Sequence, residues 1–239
     1  MKYRVRMIYD AIDPEKYEKR YELCPREAYL HRHWNPLICK IIRKYSKGKI
    51  ALDVGCGTGV YTEEISKNSQ ICIGLDLSKN MVKYAKEKRK ELNIIIADAC
   101  ELPFKDESFD FLVSIGLLEY VPKNVVMKEM NRVMKSMAFL VISVTNKYSA
   151  FRSPFKALSK IFGKEYIKKE PSFKEMLHTF VLHHFKLIWY KMDDGLIFLP
   201  DFLDRIIGEN VYRLIEKIFK KVLRRNPFSH VMLFLLQKI

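Results

Sequence analysis

Glycine is scarce in this chain, with nine in 239 residues where average usage would place about seventeen. Cysteine is scarcer: Cys24, Cys39, Cys56, Cys72 and Cys100 are scattered without a C-x-x-C pair. That spacing argues against a disulfide framework, a structural zinc site or thiol redox chemistry, and it fits a reducing, cytoplasmic setting. No apolar run approaches the roughly 18 to 20 residues needed to cross a bilayer, and the opening MKYRVRMIYD lacks the apolar core of a signal peptide. The six histidines show no H-x-x-x-H spacing and no Ser/His/Asp order. No metal centre and no nucleophilic triad are expected.

Positive charge is in excess, but unevenly. Residues 1–48 carry 12 basic against 6 acidic side chains, residues 49–145 carry 13 against 13, and residues 146–239 carry 18 against 9, for a net charge of +15. The centre is neutral and the flanks hold the whole excess. Those flanks read either as a solvated, lysine-rich surface or as a basic rim that attracts an anionic substrate or surface. Hydrophobic content of 49% beside 30% charged residues is that of a globular protein able to bury a core.

Short Val/Ile/Leu-rich runs alternate with amphipathic stretches, the pattern of α/β winding. Strands are expected at Lys49–Val54, Ile71–Asp76, Asn93–Asp98, Phe109–Gly116 and Met137–Thr145. Their nearly continuous apolar character fits strands buried on both faces of a parallel sheet. Ser78 is placed to cap the helix after the second strand. Upstream, one or two helices lead to Gly48. Downstream come a basic, loop-rich insertion (146–170), a helix beginning near Pro171 and a sixth strand at Lys186–Met192. A helical stretch containing RLIEKIFKKVLRR and a last, edge-region strand at His230–Ile239 complete the chain. The expected organisation is a helical N-terminal segment over 1–48, a binding core over 49–145, and an insertion plus final strands of the same domain over 146–239.

The few glycines gather in one place. The stretch ALDVGCGTGVYTEEIS sets Gly55, Gly57 and Gly59 at alternate positions directly after the first strand. In a wound α/β sheet, ligands bind beyond the carboxyl ends of the strands, where glycines let ligand atoms approach the backbone. A dinucleotide fingerprint needs glycine or alanine three residues after its second glycine, and Val60 occupies that position. Nicotinamide binding is thereby disfavoured.

LDVGCGTG resembles the first motif of class I S-adenosylmethionine-dependent methyltransferases, of the small-molecule type that includes the quinone and sterol enzymes. Two later stretches agree in order: IGLDLS, whose strand ends at Asp76, and ADACELPF, which begins with Asp98 and Ala99 after the third strand. ESFDFLVSIGLLEYV is similar to the family's fourth strand and the loop that follows. The resemblance implies a Rossmann-like, doubly wound α/β fold: a seven-stranded, mostly parallel sheet with an antiparallel last strand, a helical lid and an insertion before strand six. It implies that Gly55, Cys56, Gly57, Thr58 and Gly59 form the cofactor loop, with Asp53 helping to position the methionine ammonium group. By the same resemblance Asp76 accepts from both ribose hydroxyls, Asp98 and Ala99 read the adenine, and Leu77 and Met81 cover its faces. Ser114 and Leu117 meet the methionine chain. S-adenosyl-L-methionine is then consumed and S-adenosyl-L-homocysteine released.

The acceptor is less legible. Transfer from a sulfonium needs chiefly an acceptor held close and in line, and a base only where the acceptor loses a proton. No residue stands out as that base. His31, His33, His183, His184, Asp193 and Asp194 sit where structural or surface roles are commoner, and Glu119 reads first as a helix-end residue. Neither the D/N-P-P-Y/F/W motif of enzymes that methylate exocyclic amines of bases nor the Pro-Cys pair of the cytosine-C5 type is present. A small-molecule or lipid-like acceptor is therefore expected. The apolar stretch DDGLIFLPDFL and the basic helix carrying Leu214, Ile215, Ile218, Phe219 and Val222 leave open peripheral contact with an anionic surface. By the same resemblance, Tyr9, Asp10, Tyr17 and Tyr21 suit a lid over cofactor and acceptor. RNA methylation through the basic flanks is the alternative, and a cofactor-binding regulator without turnover is a third reading.

Overall fold

The computed structural model describes residues 2–149, 169–192 and 230–239. At its centre seven strands form one sheet in the order β3-β2-β1-β4-β5-β7-β6. They are β1 (Ile50–Val54), β2 (Ile71–Asp76), β3 (Asn93–Ile96), β4 (Phe109–Ile115), β5 (Met134–Thr145), β6 (Phe185–Lys191) and β7 (Val231–Lys238). Pairings among β1 to β5 are parallel, and β7 runs antiparallel to β5 and to β6. The reversed last strand is as the sequence implies, but its place is corrected: β7 lies between β5 and β6 rather than at an edge. Its run Met232–Leu236 is buried throughout, which requires neighbours in the sheet and layers on both faces.

Alternation along the strands sorts side chains to two cores. Leu52, Leu112, Leu140, Ile142, Phe234 and Leu236 face one side, with Val126, Met127 and Met130 of α6 (Lys123–Val133) and Met176 and Phe180 of α7 (Phe173–Leu182). Ala51, Phe111, Val113, Val141, Leu233 and Leu235 face the other, against α3 (Pro25–Ser46) and Ile65 of α4 (Val60–Ser66). Trp34, Ile38, Ile41 and Ile42 recur at helical spacing on the buried side of α3. Pro36 falls on its exposed side, where water can take up the backbone bond that proline lacks.

The one or two helices expected over 14–47 are two, the second of them α3, and a further helix precedes them. The extra break comes at Asp13, whose carboxylate accepts from Glu15 N and Lys16 N at 2.9 and 3.2 Å and starts α2 (Pro14–Leu23) behind α1 (Lys2–Ala11). These two helices are fastened to both ends of α5 (Lys79–Lys88). At its N-terminus, Asp10 accepts from Ser78 Oγ at 2.6 Å and its carbonyl from Asn80 Nδ2; Ser78 in turn caps the helix through Met81 N, as its position suggests. Beyond its C-terminus, Arg89 Nη2 meets Glu18 at 2.8 Å and Lys88 Nζ meets it at 2.9 Å. Arg89 also reaches Glu63 at 2.6 Å and donates to the Thr58 carbonyl at 3.0 Å. One guanidinium therefore joins lid, α4 and glycine loop.

The helix near Pro171 is present as α7, started by a capping box between Ser172 and Glu175. Residues 150–168 of the insertion, the stretch Asp193–Leu203 and the amphipathic segment 214–222 lie outside the described residues. Replacing Arg89 by alanine removes charged hydrogen bonds worth about 1.5–3 kcal/mol. Proteolytic cleavage within residues 2–23 is expected to speed up by about tenfold or more, with little change at the sheet; an unchanged cleavage rate would show that the lid is held by other contacts.

Candidate active site

The fold makes its crevice where β1 pairs with β2 on one side and β4 on the other, the point at which strand order reverses. The glycine loop leaves β1 here and is fixed at once to β2: Gly55 N and Cys56 N both donate to the Leu75 carbonyl at 2.9 Å. Gly57, with φ +55°, donates to Asp76 Oδ2 at 2.9 Å, and an added Cβ there would have no heavy atom within 4 Å. That open space at a backbone N–H is a cradle for a ligand. Gly55 differs, because its added Cβ would meet Leu117 at 3.1 Å. Its small size is demanded by the protein itself.

Gly55, Gly57, Asp76, Leu77, Met81, Asp98, Ala99 and Leu117 line a first cavity of about 90 Å³. Asp76 is fixed within it from two directions, since Ser78 N donates to Oδ1 at 2.8 Å while Gly57 N holds Oδ2. Burial raises its carboxyl pKa against these donors. Asp98 Oδ1 accepts from Cys100 N at 2.9 Å. Asp53, Cys56 and Thr58 open instead onto a second, larger chamber of about 420 Å³. Asp53 is 2% exposed and accepts from Thr62 Oγ1 at 2.7 Å. Burial, with Asp76 adding, pushes it up to about 7. Burial also raises the Cys56 thiol well above its usual range, which leaves it protonated and no nucleophile.

Two residues expected at the cofactor lie outside both cavities. Gly59 lines neither cavity; its φ of +84° begins α4, and an added Cβ would stand 3.0 Å from Ile94 Cδ1. Ser114 is fully buried, and its hydroxyl donates to the Val54 carbonyl at 3.1 Å. It braces β4 against β1 and lines neither cavity. Glu119 does not cap the following helix: Pro122 stands at the start of α6, and Glu119 is a lining residue of the chamber.

The lid supplies one wall of both cavities. Tyr9 and Tyr17 line each of them, with Tyr120 opposite, and the Tyr9 ring packs edge-on against both partners. Arg20 lies over the rings of Tyr17 and Tyr21 at 3.7 and 4.0 Å, and its guanidinium donates to the Tyr17 carbonyl and the Tyr21 hydroxyl. Tyr21 stacks on His31 at 4.3 Å. Burial, with Arg20 and Arg32, depresses the His31 pKa and keeps it neutral. Asp10, expected over the ligand, instead anchors the lid to Ser78. Arg20, Trp34, Tyr120 and His230 line these cavities without having been expected there. They come from α2, α3, the turn after β4 and the start of β7, and no spacing links them. The clustering of Tyr9, Tyr17 and Tyr21 was the one signal along the chain. His183 and His184 end α7 and lie outside both cavities.

The raised Asp53 pKa has a consequence for stability. The folded chain holds this proton to about 7, the unfolded chain only to about 3.8. This contribution is thus complete below the lower value and is lost as pH rises through the upper one. Asp53→Asn keeps an acceptor for Thr62 and is expected to flatten the fall of the urea midpoint between about pH 4 and about pH 8. An equally steep fall in the variant would put the proton elsewhere.

A family profile described as "Methyltransferase domain" matches residues 52–142. The demethylmenaquinone methyltransferase of Staphylococcus aureus (strain MRSA252) is 32% identical over 186 residues, covering 72% of this chain and 76% of that one. That of Staphylococcus carnosus (strain TM300) is 36% identical over 158 residues, covering 60% of this chain and 65%, slightly under two thirds, of its own length. Geranyl diphosphate C-methyltransferase from Streptomyces coelicolor A3(2), solved with Mg2+, geranyl diphosphate and S-adenosyl-L-homocysteine, shares the fold with a TM-score of 0.70 at 14% identity, over 100% of this chain and 98% of that one. A possible histamine N-methyltransferase from Thermotoga maritima gives 0.67 at 18% identity, over 98% and 99%. The order of the sheet, the loop fixed at Asp76 and these relatives agree: the chain belongs to the class I S-adenosylmethionine-dependent methyltransferases.

Proposed function

We propose that this protein transfers the methyl group of S-adenosylmethionine to a small-molecule or lipid-like acceptor held beneath the α1–α2 lid. The observation that carries the reading is Asp76, a half-buried carboxylate oriented by Gly57 N and Ser78 N inside a cavity that continues past Gly57 into the chamber. In this reading Asp76 receives the ribose hydroxyls on its remaining lone pairs. Leu77 and Met81 cover the adenine, and Asp98 and Ala99 read its edge. Gly55, Gly57 and Leu117 border the methionine chain, and Asp53 faces its ammonium. The cofactor supplies a methyl carbon already activated on a sulfonium; the chain's part is to hold the acceptor in line and keep water out.

Acceptor size is argued from the chamber. At about 420 Å³ it suits a compact ring system. Its walls mix Leu30, Trp34, Ile38 and Val60 with a comparable share of polar side chains, among them Glu18, Arg20, Glu27, His31 and Asn35, a lining suited to an acceptor that carries polar groups on an apolar frame. The Staphylococcus relatives are named for demethylmenaquinone, which supports a lipid-like acceptor of that general kind. The RNA alternative rests on the basic flanks, and much of that charge falls in residues outside those described. Peripheral contact with an anionic surface is proposed from the same flanks, and a cytoplasmic location from the scattered cysteines. Among the described residues no helix is long and apolar enough to cross a membrane.

Calorimetric titration with S-adenosylmethionine and S-adenosylhomocysteine, with NADH as control, tests the reading. Micromolar binding of the sulfur compounds alone supports it, and binding of NADH instead sinks it. Asp76→Ala is expected to weaken binding by about 1.5–3 kcal/mol, the worth of charge-assisted hydrogen bonds; an unchanged dissociation constant refutes the ribose assignment. Gly57→Val is expected to abolish binding while the sheet stays folded by circular dichroism.

A further inference from the structure

Along α3, Glu27, Leu30, His31, Trp34, Asn35 and Ile38 line the chamber, and the residues between them do not. At 3.6 residues per turn these positions fall on one side of the helix and the intervening ones on the other, so this wall is made by the side chains that point to it. His31 and Asn35 stand one turn apart on that wall, both half-buried. Their polar atoms are largely uncommitted. The His31 ring stacks on Tyr21 at 4.3 Å, and among the described residues neither of its nitrogens has a hydrogen-bond partner. Asn35 Oδ1 accepts from the Cys39 thiol at 3.6 Å, which orients the amide and leaves both Nδ2 hydrogens open.

Burial, with Arg20 and Arg32, keeps the imidazole neutral, so it offers one N–H and one lone pair, while the Asn35 amide adds two donors. A ligand that fills the chamber displaces water from both groups. One without a polar atom there would leave them unpaired. Charge narrows the choice further. Glu18, Glu27, Asp53 and Glu119 line the same chamber, and Arg20 is already occupied, donating to the Tyr17 carbonyl and the Tyr21 hydroxyl and lying 4.0 Å from Glu27. Such surroundings disfavour a carboxylate or phosphate beside His31. An uncharged hydroxyl fits, because it can donate to the imidazole lone pair and accept from Asn35 Nδ2 at once.

The two cavities meet at Tyr9, Tyr17, Tyr120 and Gly57, which line both, and neither His31 nor Asn35 lines the cofactor cavity. Contacts from His31 to that passage run through Tyr21 and Arg20 to Tyr17. The pair is set to read the acceptor beyond its reacting atom. Resting on the methyltransferase reading, we propose that His31 and Asn35 are specificity-determining residues of the acceptor chamber, binding a neutral hydroxyl that the acceptor carries away from the methylated atom. The acceptor class so selected is an apolar ring frame with an uncharged hydroxyl, and a bare hydrocarbon or a carboxylate at this position is rejected.

2-Naphthol probes the subsite without knowledge of the acceptor, since two fused rings fit within about 420 Å³ and its hydroxyl is uncharged at neutral pH. 2-Methylnaphthalene has nearly the same shape without the hydroxyl, and 2-naphthoate carries a charge in its place. Equilibrium dialysis is done on the full chain saturated with S-adenosylhomocysteine, so that the cofactor cavity is occupied. Wild-type protein is expected to bind 2-naphthol at least as tightly as 2-methylnaphthalene, although the hydrocarbon gains more by leaving water, and about tenfold or more tightly than 2-naphthoate. His31→Phe, which keeps a ring against Tyr21, and Asn35→Leu should each weaken 2-naphthol by about fivefold or more. Neither should weaken 2-methylnaphthalene, and S-adenosylhomocysteine affinity should stay within about twofold; a purely structural role would weaken both naphthalenes alike. His31→Gln should keep part of the 2-naphthol affinity, and with Asn35→Leu it carries the test should His31→Phe not fold. A wild type that binds S-adenosylhomocysteine but favours the hydrocarbon or the carboxylate, or a ratio of 2-naphthol to 2-methylnaphthalene affinity unchanged in the variants, overturns the subsite only. Failure of the wild type to bind S-adenosylhomocysteine overturns the methyltransferase reading, and this proposal with it.

Discussion

Two backbone N–H groups, from Gly57 and Ser78, converge on the single carboxylate of Asp76. That convergence ties the end of β2 to the glycine loop in front of it and to the first turn of α5 behind it. The loop is already fixed to the same strand through the Leu75 carbonyl. Its path across β2 is therefore determined at consecutive residues by backbone and side chain together. Ser78 extends the node outward, since its hydroxyl reaches Asp10 of the lid. Movement of the lid and the shape of the cofactor cavity are not independent, because both hang on the start of α5.

The opposite end of α5 repeats the arrangement with charge. Arg89 is 11% exposed and bonds to Glu18, Glu63 and the Thr58 carbonyl. An arginine can serve three directions in this way because its planar fork carries five donors. Burial works against Glu18, yet the Arg89 and Lys88 bonds hold its carboxyl below the ordinary range. The lid is thus a pair of short helices held by polar contacts at their rims, while their tyrosines form the wall over the cavities.

Three buried or nearly buried carboxylates, Asp53, Asp76 and Glu119, surround the region where the lid closes. Carboxylates in low dielectric are costly when no cation faces them, and the raised Asp53 and Asp76 pKa values are that cost expressed as a held proton. Under the proposed function the sulfonium and ammonium of the cofactor supply the facing charge, so cofactor binding also relieves strain that the fold carries by itself.

Strand ends, the glycine loop and Asp76 were legible from the chain because each is a local matter: apolar runs of strand length, glycines at a turn, an acid at a strand end. Residues near one another in sequence share an environment, so their types report it. The larger chamber was not legible. Arg20, His31, Glu119 and His230 come from separate elements, and only the pairing of β7 between β5 and β6 brings His230 beside Asn146 and Thr145. The same limit explains Gly59 and Ser114, whose motif positions point to a ligand while their actual neighbours are Ile94 and the Val54 carbonyl. By itself the sequence determined the winding, the glycine loop and the acid that orders it, since these depend on local backbone chemistry. Tertiary structure alone decided which distant side chains line the larger chamber, since that depends on packing between elements.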